Sequence, residues 1–176
     1  PDCREESSYK AVGGTGENNL YSFHSKDGFN WSLIQEEPLS LQGKFDSANL
    51  AFYDRIIRKY RLFSRFSEEG RGRAIQSSFS DDFREWTEPT PHIYESDVPL
   101  EEFYTNATVA VPGAEHTLMS FPMRYVADRT TPLSDISQMD YPGIGQTGME
   151  GMTDAVMMSS RDGVNWFRPF CEAWIR

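Results

Sequence analysis

Ser25-Lys26-Asp27-Gly28-Phe29-Asn30-Trp31 decides the fold, because the pattern comes back twice. Ser80-Asp81-Asp82-Phe83-Arg84-Glu85-Trp86 and Ser160-Arg161-Asp162-Gly163-Val164-Asn165-Trp166 share its Ser-x-Asp-x-x-x-Trp form. Recurrence of a fixed pattern is the mark of a repeat architecture. Each copy carries the chemistry of a hairpin turn. Asp accepts hydrogen bonds from turn amides, Gly supplies a positive φ, and Trp opens the next strand and packs between sheets. On this reading Asp27, Asp82 and Asp162 are structural, and all three tryptophans are expected to be largely buried.

Outward from each turn, alternating segments lay out as strands. The middle unit runs through Leu50 to Tyr53, Lys59 to Ser64, Arg73 to Phe79, and Trp86-Thr87. The third follows with Ala107 to Val111, His116 to Phe121, Ala155 to Ser159, and Trp166 to Phe170. The first begins at Tyr9 to Val12 and lacks an opening strand. No segment has helical periodicity. Tandem four-stranded units are the signature of propeller blades. The expectation is an all-β chain of about two and a half blades: a remnant over 1–44, a blade over 45–98, and a blade over 99–176. Trp86 and Trp166 are 80 positions apart against 55 for Trp31 and Trp86, and the excess falls at 126–152, read as an inserted loop over one face.

Composition narrows the partners. Of 176 residues 14% are aromatic, which suits stacked sheets and sites where sugar faces pack on rings. A net charge of −10 opposes nucleic acid or an anionic membrane surface as partner. No apolar run approaches the length of a membrane span. Cys3 and Cys171 lie at opposite ends and read as two unpaired thiols. His24, His92 and His116 have no ligand spacing, and no metal or cofactor is expected. The start at Pro1 and the end in the apolar run before Arg176 read as a segment of a longer gene product. A secreted or periplasmic location follows if that product carries a signal peptide.

The Asp-turn-Trp pattern resembles the Asp box of sialidases, one residue shorter than the usual form. The stretches Tyr9 to Gly14, Phe45 to Asp54, Phe103 to Ala107 and Ser159 to Trp166 are similar to bacterial glycosyl-hydrolase-like proteins common in planctomycetes. Those proteins resemble the five-bladed propellers of invertases, levansucrases and arabinanases. The resemblance spans nearly the whole chain. It implies an axial funnel with acidic residues at the starts of successive innermost strands. No invertase-type Trp-Met-Asn-Asp-Pro, Arg-Asp-Pro or Glu-Cys motif is present, so fructoside specificity is not implied.

Glycoside hydrolysis needs one carboxylic acid and one carboxylate. Asp46 precedes the innermost strand of the middle unit and is the candidate base or transition-state stabiliser. Glu101 and Glu102 precede the matching strand of the third unit and supply a candidate acid. Glu172, in the aromatic-rich run Phe170 to Trp174, is a further candidate because a carboxylate inside such a strand is costly unless paired or functional. Tyr104 and Asn106 are candidate sugar contacts, one by stacking and one by hydrogen bonding. Arg65 and Arg124 end matching second strands, and clamp an anionic sugar group or neutralise the acidic residues. Asp154 borders the inserted loop as a further substrate contact. Each has a plainer reading as a local hydrogen-bonding or solvated group. The functional expectation is a glycoside hydrolase-like protein acting on polysaccharide-derived sugars. The alternatives are a non-catalytic carbohydrate-binding propeller or a protein-interaction platform.

Overall fold

The computed structural model describes residues 8–15, 18–130 and 150–175, and these hold fifteen strands and no helix. Cys3 and residues 131–149 of the inserted segment lie outside the described residues.

The first sheet joins β1 (Tyr9–Thr15), β2 (Asn19–Ser25) and β3 (Trp31–Leu33), all antiparallel. The second joins β4 (Leu50–Asp54), β5 (Lys59–Glu68), β6 (Gly72–Ser80) and β7 (Thr90–Pro91) in chain order. β8 (Ile93–Tyr94) then leaves that sheet and pairs in parallel with the last strand of the third unit.

The third unit is one hairpin stack bent in the middle. Its strands come in consecutive halves: β9 (Glu102–Thr105) with β10 (Thr108–Val111), β11 (Ala114–Ser120) with β12 (Met123–Thr130), and β13 (Glu150–Ala155) with β14 (Met158–Ser160), before β15 (Asn165–Phe167). The order β10-β11-β14-β15-β8 forms one half and β13-β12-β9 the other. Pro122 sits at the bend, where it has no amide to give the ladder. Phe121 N–H to Ala107 O (3.1 Å) and Val156 N–H to Pro122 O (3.1 Å) stitch the halves together. Residues 126–130 and 150–152, expected as loop, are therefore strand, and they lengthen this hairpin.

The three turns share one hydrogen-bond pattern. Oδ1 of Asp27, Asp82 and Asp162 accepts the amides two and three residues on, at 2.8–3.0 Å. The hydroxyls of Ser25, Ser80 and Ser160 accept the amides beneath. Gly28 and Gly163 hold φ of 80° and 83° after the Asp, and Phe83 takes φ 69° at the same place. The cost of that left-handed backbone is offset by burial of the Phe83 ring against Tyr60 and Trp86.

The sheets stack face to face in chain order, because the long strands of the second sheet alternate their residues between two apolar interfaces. Leu62 of β5 joins Leu20, Leu39 and Phe45 against the first sheet. Its neighbour Phe63 points the other way, with Ile75, to meet Phe103, Leu118, Val156, Met158 and Trp166 of the third. Of the three motif tryptophans only Trp166 is buried as expected. Trp166 is buried on Phe63, Trp86 is half-buried on the first sheet's core, and Trp31 is 42% exposed. Where a preceding sheet exists, the motif Trp packs on it. Trp31 has none among the described residues. Trp86-Thr87 is also irregular rather than a strand, and regular pairing resumes at β7.

Candidate functional site

Arg65 and Arg73 lie on the face of the second sheet that buries Phe63 and Ile75, since Arg65 pairs with Ile75 and Ser67 with Arg73. They sit beyond the end of the aliphatic core, toward the β5–β6 hairpin tip. The loop before β4 brings Asp46 over Arg65, helped by an antiparallel bridge between Lys44 and Arg65. From the third unit, β9 brings Glu102 and Tyr104. Ser47 Oγ donates to Tyr104 O (3.1 Å), locking the two entry segments together. The result is a cleft of about 380 Å³ lined by Lys44, Asp46, Arg65, Arg73, Glu102 and Tyr104, with Ser67 and Gly72.

Both carboxylates are held by one oxygen. Arg65 Nη2 donates to Asp46 Oδ1. Arg73 Nη1 (2.8 Å) and the Arg73 backbone N–H (3.1 Å) donate to Glu102 Oε2. Asp46 Oδ2 and Glu102 Oε1 accept no hydrogen bond among the described residues. The Arg65 and Arg73 guanidinium carbons lie 4.8 and 5.1 Å from the Tyr104 ring centroid. At Gly72, with φ 89°, a Cβ would come within 2.6 Å of the Glu102 carboxyl, so only glycine lets Glu102 seat itself there.

The other expected site residues separate from this cleft. Glu101, next to Glu102 on the chain, is directed away and accepts from Arg124 Nη1 (2.7 Å) and Arg168 Nη2 (2.6 Å). Asp154 lies inside β13, buried, and takes both ends of Arg124 (2.8 and 2.7 Å) and Arg129 (3.0 Å). The Arg124 fork holds the Asp154 carboxyl below the usual range, and that same pairing raises Arg124. Arg124 and Asp154 thus form a buried ion network, which braces the hairpin and supplies nothing to the cleft. Asn106 is buried beneath the cleft, its Nδ2 donating to Ala48 O (3.0 Å) and Phe63 O (3.4 Å). Glu172 is exposed in an irregular bend, not in a strand, so the cost of a carboxylate inside an aromatic strand does not arise.

Arg73 and Lys44 were not singled out from the sequence. The signal was the pair Gly70 and Gly72, which marks the hairpin tip and so sets Arg73 on the same face as Arg65. A second, acidic cleft of about 600 Å³ adjoins across Glu102, with Glu68, Glu69, Arg71, Glu101 and Asp128 among its lining. Among the described residues no three His, Cys, Asp or Glu side chains are placed to hold a metal ion. Nor is any helix there long and apolar enough to cross a membrane.

No described protein family matches the sequence, and no curated protein matches it. Among solved structures, the chain is similar in fold to an N-acetylgalactosamine deacetylase from F. plautii, solved with blood group B trisaccharide. The TM-score is 0.57 at 13% identity, covering 89% of this chain and 45% of that one. The chain therefore spans less than half the length of that protein.

Proposed function

We propose that this protein is carbohydrate-active and that the cleft between the second and third units receives the sugar, with Asp46 and Glu102 as a hydrolytic carboxylate pair. One observation carries the reading: two carboxylates share a cleft, each anchored by an arginine through one oxygen and, among the described residues, open at the other. Anchoring fixes direction, and the open oxygens are free to protonate a leaving group, activate water or accept from sugar hydroxyls. Tyr104 offers a partly exposed ring beside them for a sugar face. The F. plautii neighbour, which acts on an N-acetylated sugar, supports a sugar-related role. Cleavage of an O-glycosyl bond is the finer part of the proposal. The stacked sheets are read as blades of a five-bladed propeller with boundaries at 44/45 and 98/99, because successive sheets face each other and Trp86 and Trp166 each pack on the sheet before them.

The test is release of reducing ends from a polysaccharide panel by the protein as encoded, with acetate release measured in parallel. Asp46→Asn and Glu102→Gln are each expected to cut turnover by about 10²–10⁴-fold, leaving sugar affinity within a few-fold. Acetate release without new reducing ends would replace glycoside cleavage by deacetylation. Binding without either product would make this a sugar-binding module, and unchanged turnover in both variants would remove the pair from the chemistry.

A further inference from the structure

Basic residues are outnumbered 17 to 27 in this chain, yet the Asp46–Glu102 cleft reverses that ratio. Lys44, Arg65 and Arg73 line it against two carboxylates. Its neighbour across Glu102 leans the other way: Glu68, Glu101 and Glu102 are paired with arginines, and Glu69 and Asp128 add acid that no ion pair among the described residues offsets. The pair of clefts forms a trough with a cationic end and an anionic end.

Donor capacity is left over at the cationic end. The Arg65 side chain is nine-tenths buried, and its Nη1 has no acceptor among the described residues. Arg73 is 39% exposed along its side chain and spends only Nη1 and its backbone N–H on Glu102. Its Nε and Nη2 donate to nothing among the described residues. Those two groups form one straight edge of the guanidinium, the edge that meets a carboxylate or sulfate with two parallel hydrogen bonds.

We propose that the cleft selects a sugar bearing an anionic group, a uronate carboxylate or a sulfate ester, bound on the Nε–Nη2 edge of Arg73 with the sugar ring beside Tyr104. This rests on the carbohydrate role proposed above and adds the substrate class. Lys44 and Arg65 contribute field from the cleft wall and floor. The acidic neighbouring cleft repels the anion and so sets the direction in which a sugar chain lies. The free oxygens of Asp46 and Glu102 accept from hydroxyls, which places the anion away from them, at Arg73.

The experiment is calorimetric titration with two matched pairs of probes: trigalacturonate against its methyl ester, and a sulfated carrageenan tetrasaccharide against its desulfated form. At least one anionic member is expected to bind about 10- to 100-fold more tightly than its neutral twin. Which pair shows the difference separates carboxylate from sulfate. Arg73→Gln is expected to erase the difference between the charged and neutral twins, whichever way the affinity for both moves with the loss of the Glu102 anchor. Arg73→Lys keeps the charge without the fork and is expected to retain only part of the preference, so one variant remains informative if the other melts early. Equal binding of charged and neutral twins overturns the anionic class and leaves the carbohydrate role standing. A preference that survives Arg73→Gln overturns the placement, and no binding by any probe overturns the anionic class, while the carbohydrate role stands or falls on the polysaccharide panel.

Discussion

His92 makes the stability of this protein sensitive to mild acid. The segment between β7 and β8 carries it into the interface between the second and third units. There its ring stacks on Trp166 at 4.9 Å and meets Phe63 edge-on at 5.7 Å. Both ring nitrogens are buried without a hydrogen-bond partner among the described residues. Burial, aided by the charge of Arg71 and opposed by Asp162, pushes its pKa down from 6.5 to about 3. Because the folded value lies below the unfolded one, the unfolded chain takes up the proton first as pH falls. The contribution of neutral His92 is therefore complete above about pH 6.5 and declines steadily as pH falls toward 3. Each pH unit in that window removes about 1.4 kcal/mol, so going from pH 7 to pH 5 removes about 2 kcal/mol. The carboxylates that the fold holds below 3.8, such as Asp54, Asp82 and Asp154, register only nearer pH 4 and leave the upper window clear. The assay is guanidinium unfolding at pH 5, 6 and 7 at constant ionic strength, beside His92→Phe. The variant is expected to lose the slope between pH 5 and 7 whatever its absolute stability. A wild-type protein equally stable at pH 5 and 7, or a slope that persists in His92→Phe, would refute the reasoning.

The tryptophans give a graded test: Trp166→Ala is expected to cost about 3–5 kcal/mol as a buried aromatic truncation. Trp31→Ala, at an exposed position, is expected to cost under about 1 kcal/mol by the same unfolding measurement. Gly72→Ala places a methyl against the Glu102 carboxyl on a left-handed backbone. It is expected to cost about 1–3 kcal/mol and to lower sugar affinity together with turnover. Intact affinity and turnover in that variant would show that Glu102 does not depend on this seat.

How much could be read in advance varied with range. The turns were legible because everything they need is local: Asp27, Asp82 and Asp162 bond amides two and three residues away. Strand positions in the second sheet followed from alternation, since one face of β5 must bury Leu62 and the other Phe63. The bend in the third unit was not legible. Pro122 marks it, but whether a hairpin ends or continues past a proline depends on which strands lie alongside. The same limit hid the continuation of strand through 126–130.

For the candidate site, the sequence by itself determined which segments enter the cleft. Asp46 lies in the segment leading into β4 and Glu102 opens β9, the entry strands of successive units, and a repeat carries equivalent positions to the same end of the stack. Only the tertiary structure decided which acidic residue faces the cleft. Glu101 and Glu102 are adjacent, and along a strand adjacent side chains point to opposite sides. One therefore enters the Arg124–Arg168 network and the other meets Arg73. That choice depends on the register of β9 against β12, on the hairpin tip at Gly72, and on which side the arginines approach. The ion pairs that fix the choice join residues 23 to 67 positions apart in the chain, and no local pattern encodes them.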